Sequence, residues 1–342
     1  MTAPAGIDTA AVDAWLREHA PAIAPPVRWT AIEGGRSNLT YTGVDRHGTA
    51  WVLRRPPLGA VLESAHDVVR EQRVIHALGP TPVPVPEVVA VCQDRAVNDA
   101  PFYVMSFVAG RVVRTPAEAL AMGHVARGHT GRALVDVLAA IHAVDPDQIG
   151  LGDLGRPDGF AARQIRRWRT QVERASTRKL PQLFEVADEL ERRVPPQTET
   201  TIIHGDFRID NCILGEGGTV EAVLDWELST RGDPRSDVGL LLAYWADPAD
   251  GFTALQDPPT AVAGFASRAE LLDGYADASG RDLSSIDFWI ALAYWKLACI
   301  VEGVYTRLIA GVMGDASVDP APFGERVPML VTRAARQLEG VS

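Results

Sequence analysis

His204-Gly205-Asp206 is followed, after four residues, by Asn211, and further on by Asp225 in the run Leu224-Asp225-Trp226-Glu227. An aspartate has an ordinary pKa of about 3.9 and is ionised at neutral pH, so Asp206 can orient an alcohol hydroxyl and take its proton. The amide oxygen of Asn211 and the carboxylate of Asp225 are hard oxygen donors of the kind Mg²⁺ prefers. A base with two such ligands can perform phosphoryl transfer from a nucleotide, where catalysis is mostly positioning and charge neutralisation. Singly, Asp206 could cap a turn, Asn211 could brace a loop and Asp225 could end a strand. The joint spacing carries the functional reading.

Those side chains need elements that bring them together. Two apolar runs, 211–214 and 219–224, flank Gly215-Glu216-Gly217-Gly218. A hairpin there sets the start of the first strand beside the end of the second, so Asn211 and Asp225 share one end of the ribbon. Upstream, residues 8–19 read as a helix capped by Asp8 or Thr9, then 29–33, 39–45 and 50–54 as a β-meander with a Gly-rich first turn. Residues 66–78 read as a helix whose stripe of Val68, Glu71, Ile75 and Leu78 includes a carboxylate in need of a partner. Strands at 88–92 and 102–107, joined by a turn at Asn98-Asp99, complete an N-terminal lobe of residues 1–108, with a hinge at Ala109-Gly110. Residues 109–342 form a second, mainly helical lobe, with helices expected at 130–143, 160–175, 182–194, 236–247, 266–279, 286–310 and 325–339, and a loop at 248–263.

Composition narrows the partners. A net charge of −11 argues against a nucleic-acid or anionic-membrane binder. Three cysteines far apart in sequence point to a reducing compartment and no disulfide. The N-terminus shows no basic region followed by an apolar core. The apolar run 238–246 is too short to span a bilayer, and Asp287 and Lys296 interrupt 286–301, so a cytoplasmic location is expected. The chain has two lysines, Lys179 and Lys296, against thirty-one arginines.

Seven segments in order carry a resemblance: Glu33-Gly-Gly-Arg-Ser-Asn38, Val52-Leu-Arg-Arg-Pro-Pro57, Arg70-Glu-Gln-Arg-Val74, residues 102–110, residues 204–211, Leu224-Asp-Trp-Glu227 and Gly232-Asp-Pro-Arg-Ser-Asp-Val238. Over residues 28–310 the chain resembles the aminoglycoside phosphotransferase-like kinases, above all the branch related to the kinase-like domain fused to some acyl-CoA dehydrogenases. The resemblance implies an α+β, bilobal protein-kinase-like fold, with a small antiparallel-sheet N-lobe, a mainly helical C-lobe, and ATP between them. It makes Asp206 the catalytic base and Asn211 and Asp225 the Mg²⁺ ligands. His204 braces the catalytic loop or is purely structural. Asp237 holds the loop backbone or caps a helix. Glu227 is a further ligand candidate. Gly34, Gly35, Ser37 and Asn38 would cover the phosphates, or form a plain hairpin turn. Met105, Phe107 and Val108 would form the adenine-contacting hinge.

One position departs from the family. Where such kinases carry a strand lysine paired to a helix glutamate, this chain has Arg54, and residues 1–108 contain no lysine. Arg54 can hold phosphate in forked geometry, with Glu71 as its partner. Arg55 points to the other face of the strand and is expected to be solvated. Acceptor contacts are expected from Tyr244, Trp245, Trp289, Tyr294, Trp295 and Tyr305, and Glu302 either orients a hydroxyl or pairs with Arg307. Their largely apolar setting favours an uncharged or partly apolar alcohol, such as a hydroxylated acyl chain, over a polycationic aminoglycoside. The expected activity is an ATP- and Mg²⁺-dependent small-molecule kinase. The alternative is a nucleotide- or metabolite-binding regulatory module. The short path from Asp225 to Asp237 disfavours a protein kinase.

Overall fold

The structure, a computed structural model, describes residues 4–32, 38–58, 67–247, 253–254, 256–312 and 318–340. The N-terminal elements are α1 (Thr9–His19), β1 (Arg28–Ala31), β2 (Leu39–Val44), β3 (Ala50–Arg55), α2 (Val68–Leu78), β4 (Val88–Cys92), α3 (Arg95–Asn98) and β5 (Phe102–Ser106). The five strands form one antiparallel sheet in the order β1-β2-β3-β5-β4. Alternation along β3 and β5 sorts the side chains by face. Trp51, Leu53, Phe102 and Val104 join Val12 and Leu16 of α1 in an outer core. Val52, Tyr103 and Met105 join Val74, Ile75 and Leu78 of α2 in an inner core that continues into the helical part. Burying a side chain such as Leu16 contributes about 2 kcal/mol.

That sorting decides the two arginines of β3. Arg54 lies on the inner face. Arg55 lies on the outer face as expected but is buried, donating to Gly6 O and Asn98 O. The expectation of a solvated Arg55 fails because the N-terminal segment and α3 fold over that edge and supply carbonyl acceptors. The expected turn at Asn98-Asp99 is the end of α3, with Asp99 in the left-handed region.

The helical part comprises α4 (Pro116–Ala121), α5 (His124–Ala143), α6 (Phe160–Ala175), α7 (Pro181–Arg192), α8 (Arg235–Tyr244), α9 (Arg268–Ser279), α10 (Ile286–Ile309) and α11 (Ala321–Glu339). Between α7 and α8 lie β6 (Thr201–Ile203), β7 (Cys212–Leu214), β8 (Val220–Val223) and β9 (Thr230–Gly232). β6 pairs with β9, and β7 with β8, both antiparallel. α10 meets the length and hydropathy of a membrane span, yet most of it is buried, with α6, α7, α8 and α11 packed around it. It is the central core helix. α8 crosses it closely at Gly239, where a Cβ would meet the Trp289 backbone at 2.6 Å. The helix expected at 130–143 begins six residues earlier, at His124, after the left-handed Gly123.

Candidate active site

Hairpin register positions the first pair of site residues. Cys212 pairs with Val223, and Leu224 N–H donates to Asn211 O at 2.8 Å. Asn211 and Asp225 therefore sit at the same end of the ribbon. Asp225 adopts a left-handed conformation (φ 66°), which Asp tolerates better than most residues and which turns its side chain off the strand line.

The loop between β6 and β7 holds Asp206. Asn211 Nδ2 donates to Asp206 O at 2.8 Å and to Asp206 Oδ2 at 3.1 Å. With its nitrogen on Asp206, the Asn211 amide presents its oxygen elsewhere. Arg208 Nε lies 3.5 Å from Asp206 Oδ2 and 3.1 Å from Asp210 Oδ1, with its guanidinium over the Tyr244 ring. Asp237, in the first turn of α8, accepts from His204 N–H at 2.6 Å and Gly205 N–H at 2.9 Å. Two backbone donors are thereby tied to one carboxylate. Burial pushes the Asp237 carboxyl up, but His142 and the loop N–H group outweigh it and hold it below the ordinary carboxylate range. His142 approaches Asp237 Oδ2 at 3.3 Å and the Tyr275 hydroxyl at 2.7 Å.

His204 is fully buried. Its Nε2 bonds Leu224 O at 2.9 Å and its Nδ1 bonds Asp206 N–H at 3.2 Å. A neutral ring carrying its proton on Nε2 satisfies both contacts. The geometry gives His204 the work of a brace, linking the loop to the strand end that carries Asp225. Gly205 is left-handed (φ 85°), and a Cβ there would lie 2.8 Å from Leu228 O. Steric closeness thus accounts for glycine between His204 and Asp206.

Arg54 reaches across from β3. Its Nε lies 3.0 Å from Glu71 Oε2 and one terminal nitrogen lies 2.7 Å from Asp225 Oδ1. Tyr103 is its cross-strand neighbour on β5. Burial works against the Arg54 charge, but Glu71, Tyr103 and Asp225 outweigh it and keep the guanidinium charged. Glu71 is completely buried, and burial pushes its carboxyl up to about 7 against the pull of Arg54. Relative to its ordinary 4.5, the native state retains a proton that the unfolded state releases. Stability from this group is therefore full below pH about 4.5 and is lost as pH rises toward 7. Glu71→Gln, of the same shape, should flatten that slope in denaturant titrations at pH 5 and pH 8. An unchanged slope would refute the assignment.

Asn38 is buried, with Nδ2 3.4 Å from Glu227 Oε2. Gly34, Gly35 and Ser37, expected to cover phosphates, lie outside the described residues. Met105 sits in the middle of the sheet with its side chain in the inner core, whereas Phe107 and Val108 lie past the last strand pairing. Arg70 of α2 donates to Glu227 O at 3.0 Å and to Ser229 O, tying the helix that carries Glu71 to the segment that follows Asp225.

On the other side of Asp206 is a cavity of about 300 Å³. Phe160, Trp168, Leu240, Tyr244, Trp289 and Leu292 give it an apolar wall, and Asp206, Arg167, Gln164 and Lys296 supply polar groups. Of the six expected aromatic contacts, Tyr244 and Trp289 line it. Trp245 and Trp295 are core residues whose indole N–H groups donate to Ala266 O and Leu183 O. Tyr294 is also buried in the core, and Tyr305 stacks under Arg178. Glu302 pairs with Arg178 and Ser176, correcting the expected Arg307 pairing. Gln164, Arg167 and Lys296 were missed as site residues. A lysine interrupting an apolar helix, in a chain with two lysines, was the available signal for Lys296.

Among the described residues, no group of three or more His, Cys, Asp or Glu could hold a metal unaided. Two oxygen donors, from Asn211 and Asp225, nevertheless suit Mg²⁺, which commonly takes one or two protein ligands and completes its shell with phosphate and water oxygens.

The sequence profile of the phosphotransferase enzyme family matches residues 28–289. Acyl-CoA dehydrogenase family member 11 of Gallus gallus is 36% identical over 291 residues, covering 81% of this chain. The chain spans 36% of that relative's length. A candidate aminoglycoside phosphotransferase of Ralstonia eutropha, a solved structure, is 32% identical with a TM-score of 0.82, covering 98% of this chain and 99% of that one. Spectinomycin phosphotransferase, solved with ADP and spectinomycin, shares the fold at a TM-score of 0.62 and 12% identity, covering 97% of this chain and 98% of that one.

Proposed function

Because the chain belongs to the phosphotransferase enzyme family, we propose that it transfers the terminal phosphoryl group of ATP to a hydroxyl of a small, largely apolar alcohol. The observation that carries this reading is the position of Asp206. Through Asn211 it adjoins the charged cluster of Asp225, Arg54 and Glu71, and it also lines an apolar cavity. A base between a phosphate-binding cluster and an acceptor pocket is what direct transfer requires.

In this reading Asp206 orients the acceptor hydroxyl and takes its proton as the oxygen–phosphorus bond forms and ADP departs. Asn211 fixes the Asp206 carboxylate, and Asp237 fixes the peptide before it. Arg54 binds phosphate oxygens while Glu71 holds the guanidinium in place. Asn211 and Asp225 would hold Mg²⁺, which when bound supplies charge neutralisation on the phosphates. The apolar wall excludes water from the acceptor hydroxyl. It disfavours a polycationic acceptor, which would have to lose its hydration beside Arg167 and Lys296.

One contact favours the second reading, a nucleotide- or metabolite-binding module without turnover. Arg54 already occupies Asp225 Oδ1, so the guanidinium competes with a cation for that oxygen. Calorimetry with ATP and Mg²⁺, followed by ADP release across an alcohol panel, separates the two. Binding with alcohol-dependent ADP release is expected. Tight binding with no release across the panel would favour the module, and no binding at all would count against both.

A further inference from the structure

We propose that Lys296 is a catalytic residue of this chain, an ammonium that stabilises the transferring phosphoryl group from the acceptor side of the cleft. The inference rests on the kinase reading above and adds to it a residue outside the recognised motifs. Lys296 projects from α10, the most apolar helix of the fold, into the cavity that Asp206 lines. Its Nζ donates to Gly205 O at 3.0 Å, on the peptide that precedes the aspartate.

The argument turns on what that hydrogen bond requires. Holding one carbonyl takes one neutral donor, and a glutamine could provide it without the cost of enclosing a charge. A lysine has three donors, and among the described residues Gly205 O is the one acceptor that Nζ bonds. Two donors are therefore left in the cavity that Asp206 also lines, beside the point where the acceptor hydroxyl would meet it.

Neither neighbouring carboxylate takes those donors. Asp237 is occupied by the His204 and Gly205 N–H groups and His142. Asp206 is held by Asn211 and has Arg208 beside it. When the acceptor oxygen bonds to phosphorus and the bond to ADP breaks, negative charge spreads over the equatorial oxygens. Arg54 approaches from the nucleotide side, and Lys296 is the lysine placed to meet those oxygens from the other. An aligned cation in a water-poor site stabilises such charge more than it would in water.

The groups facing the ammonium are Asp206 from the loop, Asp237 from α8 and Arg167 from α6. Burial, helped by Arg167 and opposed by the two aspartates, pushes its pKa below the ordinary 10.5. A required ammonium then produces an alkaline fall in turnover below the pH at which an exposed lysine titrates.

The test uses slow ADP release from MgATP with water as acceptor, so it needs no identified alcohol. Lys296→Gln keeps a donor for Gly205 O but loses the charge. It should lower the rate at pH 7 by about 100-fold or more, the range of one lost electrostatic donor. Its MgATP affinity should stay within about threefold, as expected of a group off the nucleotide side. Lys296→Arg should restore part of the rate. The wild type should show the alkaline limb and Lys296→Gln should lack it, while Lys179→Gln should behave as wild type.

Full turnover by Lys296→Gln would overturn the inference. So would a wild-type rate with no alkaline limb below pH about 10, the ordinary lysine range, a result that holds even if the variants fail to fold. A wild type that binds no MgATP overturns the kinase reading and this inference together. A wild type that turns over normally but is insensitive to Lys296→Gln overturns the inference alone.

Discussion

Asp206→Asn should reduce phosphoryl transfer by about 10³-fold or more while leaving MgATP affinity within about threefold. General-base contributions of this kind are worth about 10²–10⁴. The substitution is nearly isosteric, and Asn211 Nδ2 keeps its bond to the Asp206 main-chain oxygen, so the loop should hold. Lost are the charge and the proton acceptor. Asp206 is not among the groups that touch Arg54 or Glu71, so nucleotide binding should survive. ADP release with the best alcohol of the panel, set beside calorimetry on the same preparation, checks both halves. Equal turnover would remove Asp206 from the role. A parallel collapse of affinity would instead mean that the loop had moved.

The second large effect is expected at Asp237, which borders the acceptor cavity but whose carboxylate is taken up by the loop amides and His142. Asp237→Ala removes the acceptor for two backbone N–H groups, one buried and one partly buried, and the buried partner of His142. Each buried donor left unpaired costs about 1–3 kcal/mol, so a loss of about 4 kcal/mol in unfolding free energy is expected. Transfer should also fall by at least about 10²-fold, since the peptide preceding Asp206 loses its anchor and small displacements of a catalytic group are costly. Denaturant unfolding and turnover on the folded fraction measure the two effects. A shift below about 1 kcal/mol, ordinary for a surface site, would contradict the role assigned here.

The acidic limb of the unfolding profile should carry a further mark of Asp237. Its carboxyl is held below the ordinary carboxylate range. Its stabilisation is therefore present above the ordinary pKa of 3.8 and is lost as pH falls through the lower native value. The sign is opposite to that of Glu71, whose stabilisation is lost as pH rises.

Much of the site was legible in the sequence because its parts are local. His204, Asp206 and Asn211 lie within one short loop, and a hairpin with a Gly-rich turn has to bring Asn211 to Asp225, whatever surrounds it. The pairing of Arg54 with Glu71 was legible for a different reason. A carboxylate in an apolar stripe needs a cation, and β3 offers one on the matching face. Family resemblance supplied the order of these pieces and the fold class, which the profile match and the solved relatives bear out.

The misreadings have a common cause. Arg55 was expected in water because alternation tells which face a side chain takes, not what covers that face. Glu302 was paired with a neighbour on its own helix, whereas its cation is Arg178, 124 residues away in sequence. Trp245 and Trp295 were offered as acceptor contacts because aromatic residues on helices look alike until packing decides which way each turns. Lys296 was noted as a break in an apolar run, but its distance from Asp206 depends on how α10 crosses beneath the loop.

The sequence by itself determined that Asp206, Asn211 and Asp225 gather at one end of a hairpin, that Arg54 pairs with Glu71, and that an antiparallel sheet is followed by helices. Those follow from spacing, period and charge balance, which act over a few residues or along one element. The resemblance left Asp237 between holding the loop and capping a helix, and His204 between bracing the loop and a purely structural place; the tertiary structure decided that Asp237 holds two loop amides, that His204 spans from the loop to Leu224, and that an apolar cavity with a lysine in its wall opens beside Asp206. Each of these depends on elements distant in the chain meeting at hydrogen-bond or van der Waals range. That meeting is set by the packing of α8 and α10 around the loop, close enough at Gly239 to exclude a Cβ.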